Sequence, residues 1–400
     1  MRNAECEMQR TVQSAERWPP QCVQVAFCIL NFLSLTACRS APPVIQVSQS
    51  GKGAYETALA THEAGFAVAW HDLRDGNAEI YLRLLDSSGH PSSPERRLTE
   101  TPDASYEPSI ERLGDRFAIA WYEQSTEGRQ TAMLGAWTRD GGRQWTQAIA
   151  PGSRNPVLRA GEHEIVAAWI QADADGNESV WIGSWGEDGK ERRSRTRIGS
   201  ASKTTWNLNL DLDGSAAWVV FDAATSTRSS ELYVAHVETS GVRPVRVTRD
   251  DGATSKYPDI ALDGEGRVAL TWYDMRDGND EVYLFVGRAS DLHGELDDRA
   301  RRVTTTEGES IGAYVAWNSG RVGLAWSDKT PGGHEVYFQS FDGAGMPLGS
   351  SERLTRTEAW SLVPAIRPWR KGFGLAWTEY RPASSETHDG TGEIAFTLVE

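Results

Sequence analysis

At about 150 residues per domain, 400 residues would make two or three domains, yet 38 Gly and 16 Trp point to one repetitive body. A charged fraction of 24% beside 39% hydrophobic residues excludes a disordered chain, and no apolar run approaches the ~18 residues that a spanning helix needs. Asp plus Glu outnumber Lys plus Arg by 56 to 41, and the net charge of −15 argues against nucleic acid as a partner.

The chain opens with a basic segment (Arg2, Arg10, Arg17) and then an apolar stretch from Val23 to Ala37, the order of a secretory signal. Cys6, Cys22, Cys28 and Cys38 all lie here, so they do not form a disulfide framework. The stretch ends in Leu35-Thr36-Ala37-Cys38, which resembles the lipobox of bacterial lipoproteins. That resemblance implies a signal peptide over residues 1–37, cleavage before Cys38 and acylation of the Cys38 thiol. Two or three acyl chains, at ~0.8 kcal/mol per buried CH₂, would tether the protein to membrane lipid. A plain signal peptide ending in a chance cysteine is the other reading. Residues 38–43 are the lipidated cysteine and a short spacer, in which Arg39 resembles the outer-membrane sorting state of lipoproteins. The expected location is the bacterial cell envelope, at the outer membrane or cell surface.

From residue 44 onward the chain repeats. Two runs, FAVAWHDLRDGNAEIYL from Phe66 and VALTWYDMRDGNDEVYL from Val268, are the best copies of a unit that recurs seven times. The aromatic at the end of its apolar strand falls at Trp70, Trp121, Trp169, Phe221, Trp272, Trp326 and Trp377, at intervals of 51, 48, 52, 51, 54 and 51. Each unit holds four strand-like runs, which in the second unit are Tyr106 to Arg112, Arg116 to Tyr122, Gln130 to Trp137 and Trp145 to Ala150. Ten Asp-Gly pairs supply tight turns. Four antiparallel strands in ~50 residues make one propeller blade, so the sequence predicts an all-β fold, a single seven-bladed β-propeller over residues 44–400. The repeated aromatic is expected to fill the gaps between blades. Pro108, Pro156, Pro258 and Pro364 fall in the innermost strands, where an edge tolerates a missing N–H. The last unit ends at its third strand, and Val44-Ile45-Gln46-Val47-Ser48 is expected to complete it and close the ring.

Thr138-Arg139-Asp140-Gly141-Gly142-Arg143-Gln144-Trp145 matches the Asp-box pattern, Ser/Thr-x-Asp-x-Gly-x-x-aromatic, between the third and fourth strands. In this respect the chain resembles sialidase-like propellers, and the resemblance implies a structural role for Thr138, Asp140, Gly142 and Trp145. It departs from the sialidases in having seven units where they have six, and in lacking an amino-terminal Arg-Ile-Pro; Tyr380-Arg381-Pro382 stands at the other end.

The loop Asp72-Leu73-Arg74-Asp75-Gly76-Asn77 recurs as Asp274-Met275-Arg276-Asp277-Gly278-Asn279 and resembles a repeat of bacterial secreted and surface propellers. It joins the second and third strands on the face where propellers commonly bind ligands, which makes Asp72, Arg74, Asp75, Asp274, Arg276 and Asp277 the candidate binding residues. Two other readings stand beside it: Asp and Asn capping their own turns, or an oxygen-rich Ca²⁺ site. No HExxH, Gly-rich phosphate loop or Gly-x-Ser-x-Gly elbow is present. The sequence thus favours a monomeric, lipid-anchored module that binds a protein, peptide or glycan without catalytic residues or cofactor, with a cell-surface glycoside hydrolase as the alternative.

Overall fold

The computed structural model describes residues 42–400 apart from 162, 203, 206, 226–228, 239–241, 243, 330–332 and 383–389. The expected signal peptide and Cys38 therefore lie outside the described residues. Residues Pro42–Glu400 form one compact unit of seven four-stranded antiparallel sheets, each ordered from its inner to its outer strand. The second sheet comprises Ala104–Leu113, Arg116–Gln124, Gln130–Thr138 and Arg143–Pro151, each within two or three residues of the runs read from the alternating pattern. The innermost strands of the others are Ala54–His62, Ser153–Ala160, Leu208–Asp213, Ser255–Leu262, Ser310–Asn318 and Trp360–Trp369.

Ring closure follows the sequence expectation. Ile45–Gln46 adds as the outer strand of the seventh blade, with Ile45 opposite Phe396 and Gln46 opposite Ala395. Val47 N–H donates to the Ile394 carbonyl at 2.7 Å, and Thr397 Oγ1 donates to the Pro43 carbonyl at 2.8 Å. The ladder thus consumes backbone groups that would otherwise form an exposed edge.

The hydrophobic core is seven separate cores, each shared by two neighbouring blades. Trp70, Trp121, Trp169, Trp272, Trp326 and Trp377 are each no more than 2% exposed, and each packs toward the blade before its own. In blades 1, 4, 5 and 6 a cross-strand tyrosine lies against the aromatic, as in Trp272–Tyr283 with centroids 5.7 Å apart. A single blade cannot bury both of its faces, so the wedge of aromatic rings makes the ring cooperative.

Towards the rim, a buried glutamate opens the third strand of four blades. Glu79, Glu281 and Glu335 each accept from a threonine hydroxyl and from Arg97, Arg302 or Arg353 at 2.9, 3.0 and 2.7 Å. Glu231 of the fourth blade has Thr248, but the arginine at the equivalent place, Arg246, turns to Asp250 and Glu295 instead. Glu231 Oε1 is left buried and unpaired, and burial pushes the carboxyl up to about 7.

Candidate functional site

The inner strands share an irregularity that sets the central site. Glu56, Glu107, Asn155, Tyr257 and Val363 have φ between 46° and 53°, and Gly312 stands at the same place with φ 61°. At each of these positions the ladder to the second strand slips, as between Tyr106 and Ser109 or between Leu362 and Ala365. A left-handed conformation costs an L-residue about 1–2 kcal/mol, and Val363 is β-branched, for which it is least favourable. Recurrence in six blades makes it a designed bulge. Four of these residues precede proline (Pro108, Pro156, Pro258, Pro364), which has no N–H to lose where the ladder is interrupted.

The bulges turn side chains onto the propeller axis. Glu56, Glu107, Asn155, Tyr257 and Val363 line one cavity of about 400 Å³, to which all seven blades contribute. Glu107 has neither hydrogen bond nor ion pair with a described residue. Burial and the neighbouring Glu56 push its carboxyl up to about 8, against the opposing pull of Arg154. Glu56 Oε2 lies 3.2 Å from His71 Nδ1. Arg154 is spent on Glu178 at 2.8 Å and on the Thr205 carbonyl at 2.7 Å. Thr57 Oγ1, also on the cavity wall, is buried with no partner.

Beside Glu56 and Glu107, through their preceding residues Tyr55 and Tyr106, runs a chain of ring contacts: Tyr122–Tyr106 at 5.6 Å, Tyr106–His71 at 5.1 Å, His71–Tyr55 at 5.6 Å, Tyr55–Tyr380 at 6.1 Å, Tyr380–Trp360 at 5.9 Å and Trp360–His334 at 5.6 Å. This arc crosses blades 2, 1, 7 and 6, and Trp360 is 38% exposed. Across the axis Tyr257 stacks on Tyr273 at 5.2 Å. Burial first, and then the Glu107 and Glu56 charges, raise the Tyr122 hydroxyl above the usual phenol range.

Four residues further along the inner strands, roughly 13 Å deeper at ~3.3 Å per residue, ion pairs cross the channel. Arg159 lies 3.4 Å from both Glu111 and Asp211, and Arg367 reaches Glu111 at 2.9 Å. Asp259 accepts from Val315 N–H at 2.8 Å and is pushed up by burial to about 6. These charges form the floor of the site.

The candidate loops of the sequence reading lie elsewhere and are chemically occupied. Asp72 and Asp274 are fully buried. Asp274 accepts from Ser255 Oγ at 2.7 Å, Trp272 Nε1 at 3.1 Å and Arg276 N at 2.9 Å, and pairs with the Arg276 guanidinium. Asp72 repeats the set with Ser50, Trp70 and Arg74. Burial raises both carboxyls, but the arginine and serine hydrogen bonds outweigh it and hold them below the usual carboxylate range. Asp75 and Asp277 accept from the Tyr81 and Tyr283 hydroxyls and pair with Arg97 and Arg302. Arg74 and Arg276 each stack 4.6 Å over those same tyrosines. The oxygens that a Ca²⁺ would need are therefore engaged by N–H and O–H donors. Among the described residues no three His, Cys, Asp or Glu side chains converge as metal ligands.

The Thr138–Trp145 hairpin sits at the rim. Thr138 Oγ1 bonds Asp140 and accepts from Gly142 N–H at 2.9 Å, while Trp145 Nε1 donates to the Glu187 carbonyl of the next blade at 2.9 Å. Glu56 and Glu107 escaped the sequence reading, although the x-Pro pairs in the inner strands were a signal for Glu107; Glu56, followed by Thr57, carries none. Those prolines read as edge tolerance, whereas they mark the bulge that re-aims the preceding side chain.

No protein-family model and no curated protein matches the sequence. The fold is similar to the β-propeller domain of the Trilobed protease from Pyrococcus furiosus, with TM-score 0.52 and 11% identity over 86% of this chain and 96% of that one. It is also similar to the endosialidase of phage phi92 (TM-score 0.54, 8% identity, 90% and 69% covered) and to the alpha-L-arabinanase of Penicillium chrysogenum (0.50, 13%, 73% and 92%). The chain spans 52% of an acylaminoacyl peptidase at 10% identity and TM-score 0.52. The likeness is one of fold. The Pyrococcus propeller is described as having an open velcro topology, whereas Ile45–Gln46 closes this ring.

Proposed function

We propose that this chain is a lipid-anchored protein of the bacterial envelope whose propeller binds a peptide or glycan at the mouth of the axial channel. One observation carries the reading: Glu56 and Glu107 line a cavity of about 400 Å³, and a chain of seven aromatic rings passes beside them through their neighbours Tyr55 and Tyr106 and through His71, 3.2 Å from Glu56. Ring faces receive sugar rings or apolar side chains, the acids accept from hydroxyl or amide groups, and the volume falls in the ~300–1,000 Å³ range of ligand sites. The repeated outer loops, with their acids already bonded, serve the fold in this reading. The test is a glycan and peptide array probed with the full-length protein in detergent. Trp360→Ala and Tyr106→Ala should each weaken the binding found there by ~10-fold or more; binding that both variants retain would move the site away from the channel. For the anchor, Cys38→Ser should release the protein from the membrane fraction, and continued fractionation with membranes would remove it.

A second reading, a glycoside hydrolase, is favoured by one feature, the Glu107 carboxyl at about 8 beside Glu56. A carboxyl protonated at neutral pH can act as general acid while its neighbour serves as base or nucleophile. Turnover of chromogenic glycosides that Glu107→Gln abolishes would establish it.

A further inference from the structure

The channel mouth has a chemical bias beyond its shape. In the reading that this mouth is the binding site, we infer that its ligand presents an alkylammonium group, seated between Glu56 and Glu107 against the aromatic arc.

The charge distribution is the first argument. Glu56, Glu107, Glu111, Asp211 and Asp259 share the channel with two guanidiniums, Arg159 and Arg367. Both arginines are held at the floor by Glu111 and Asp211, and Arg154 is held by Glu178. At the upper level Glu107 is left with no partner among the described residues, close to a second carboxylate. Thr57, 8% exposed, adds a buried hydroxyl oxygen with no partner. An alkylammonium has three N–H donors and no acceptor, which matches two carboxylates and a hydroxyl.

The surroundings select among cations. Ca²⁺ requires six to eight oxygen ligands, and the remaining bulge positions supply Tyr257, Val363, Gly312 and Asn155, whose amide oxygen already accepts from Arg154 at 3.0 Å. The tyrosines beside the two acids, Tyr122, Tyr257 and Tyr314, suit an organic cation, which gains from each ring quadrupole. The raised Glu107 fits the same picture, because an added cation would favour its ionised form. The groups that face Glu107 are Glu56, Tyr122 and Arg154 around the mouth, with Tyr257 and Tyr314 across the channel.

The ammonium could be carried by a lysine-like chain or by an amino sugar, and calorimetry on the full-length protein separates them. The probes are cadaverine, the glucosamine trimer, the N-acetylglucosamine trimer and CaCl₂. At least one amine should bind, with the N-acetylated trimer at least ~10-fold weaker, and whichever amine binds names the source. Cadaverine, if it is the binder, should bind more tightly at pH 8.5 than at pH 6.5 and release protons at pH 7. Glu107→Gln and Glu56→Gln should each weaken the amine by ~10-fold while melting no lower than wild type. Three results would overturn the inference: equal binding of the neutral trimer, amine binding indifferent to Glu107→Gln, or Ca²⁺ binding that expels the amine. Neutral-trimer binding that Trp360→Ala removes would leave the channel reading standing, whereas an array and probe set that both fail would remove the two together.

Discussion

The outer loops and the channel wall are built from the same repeat, yet they have diverged in opposite ways. Blades 1 and 5 keep the Asp-x-Arg-Asp-Gly-Asn loop almost unchanged, and each copy closes on itself through the equivalent tryptophan and tyrosine and through a serine, which blade 1 supplies from outside its inner strand. On the axis the backbone bulge is kept in six blades while its side chain differs: Glu, Glu, Asn, Tyr, Gly and Val. Where the repeat is constant, its polar atoms satisfy one another. Where it varies, Glu107 and the Thr57 hydroxyl have no hydrogen-bond partner among the described residues. In a repeat protein, then, the binding site is better sought in the positions that break the repeat than in those that define it.

The contrast can be tested from its strongest consequence downward. Trp272→Ala, at the wedge between blades 4 and 5, should cost about 3–5 kcal/mol in chemical denaturation and lower cooperativity, since the indole is fully buried there. Asp274→Ala should cost about 3 kcal/mol because it leaves the buried Ser255 hydroxyl and Trp272 Nε1 donors without their acceptor and Arg276 with Asp297 alone, with no change in ligand binding; a loss of binding at intact stability would return the outer loops to consideration. Glu231→Gln sharpens the comparison among blades. The folded carboxyl at about 7 lies above its ordinary value of 4.5, so its contribution is fully present below the ordinary carboxylate range and lost as pH rises through about 7. The variant should therefore gain about 2 kcal/mol over wild type at pH 8.5 and nothing at pH 4, read from denaturation midpoints. Glu107→Gln carries the same sign: it should match wild type at pH 4 and, because burial and the neighbouring Glu56 raise its carboxyl, melt higher at pH 9 by an amount comparable to Glu231→Gln. A variant that melts lower throughout would make Glu107 a structural residue.

Much of the architecture was legible beforehand because a period of ~50 residues with one buried aromatic per unit has few solutions. The second strand, Trp70 through Trp377, was read correctly in every blade, since burial on both sides writes itself as an apolar run. Completion of the last blade by Val44–Ser48 was legible from its likeness to the outer strands, though only Ile45–Gln46 meets the ladder criteria. The site was less legible. Asp72 and Asp274 stand out in sequence because they recur, but recurrence reported their bonds to Trp70 and Trp272. Glu56 and Glu107 are 51 positions apart with nothing between them to suggest a pair.

The sequence by itself determined the number of blades, the strand order within each and the side that every large aromatic buries, because these depend on local alternation and on a period that any one unit displays. Only the tertiary structure decided which polar groups would meet on the axis. Closure of the ring brings the same bulge of successive blades to one centre, and whether a carboxylate there finds an arginine, a hydroxyl or no partner depends on residues a whole blade away.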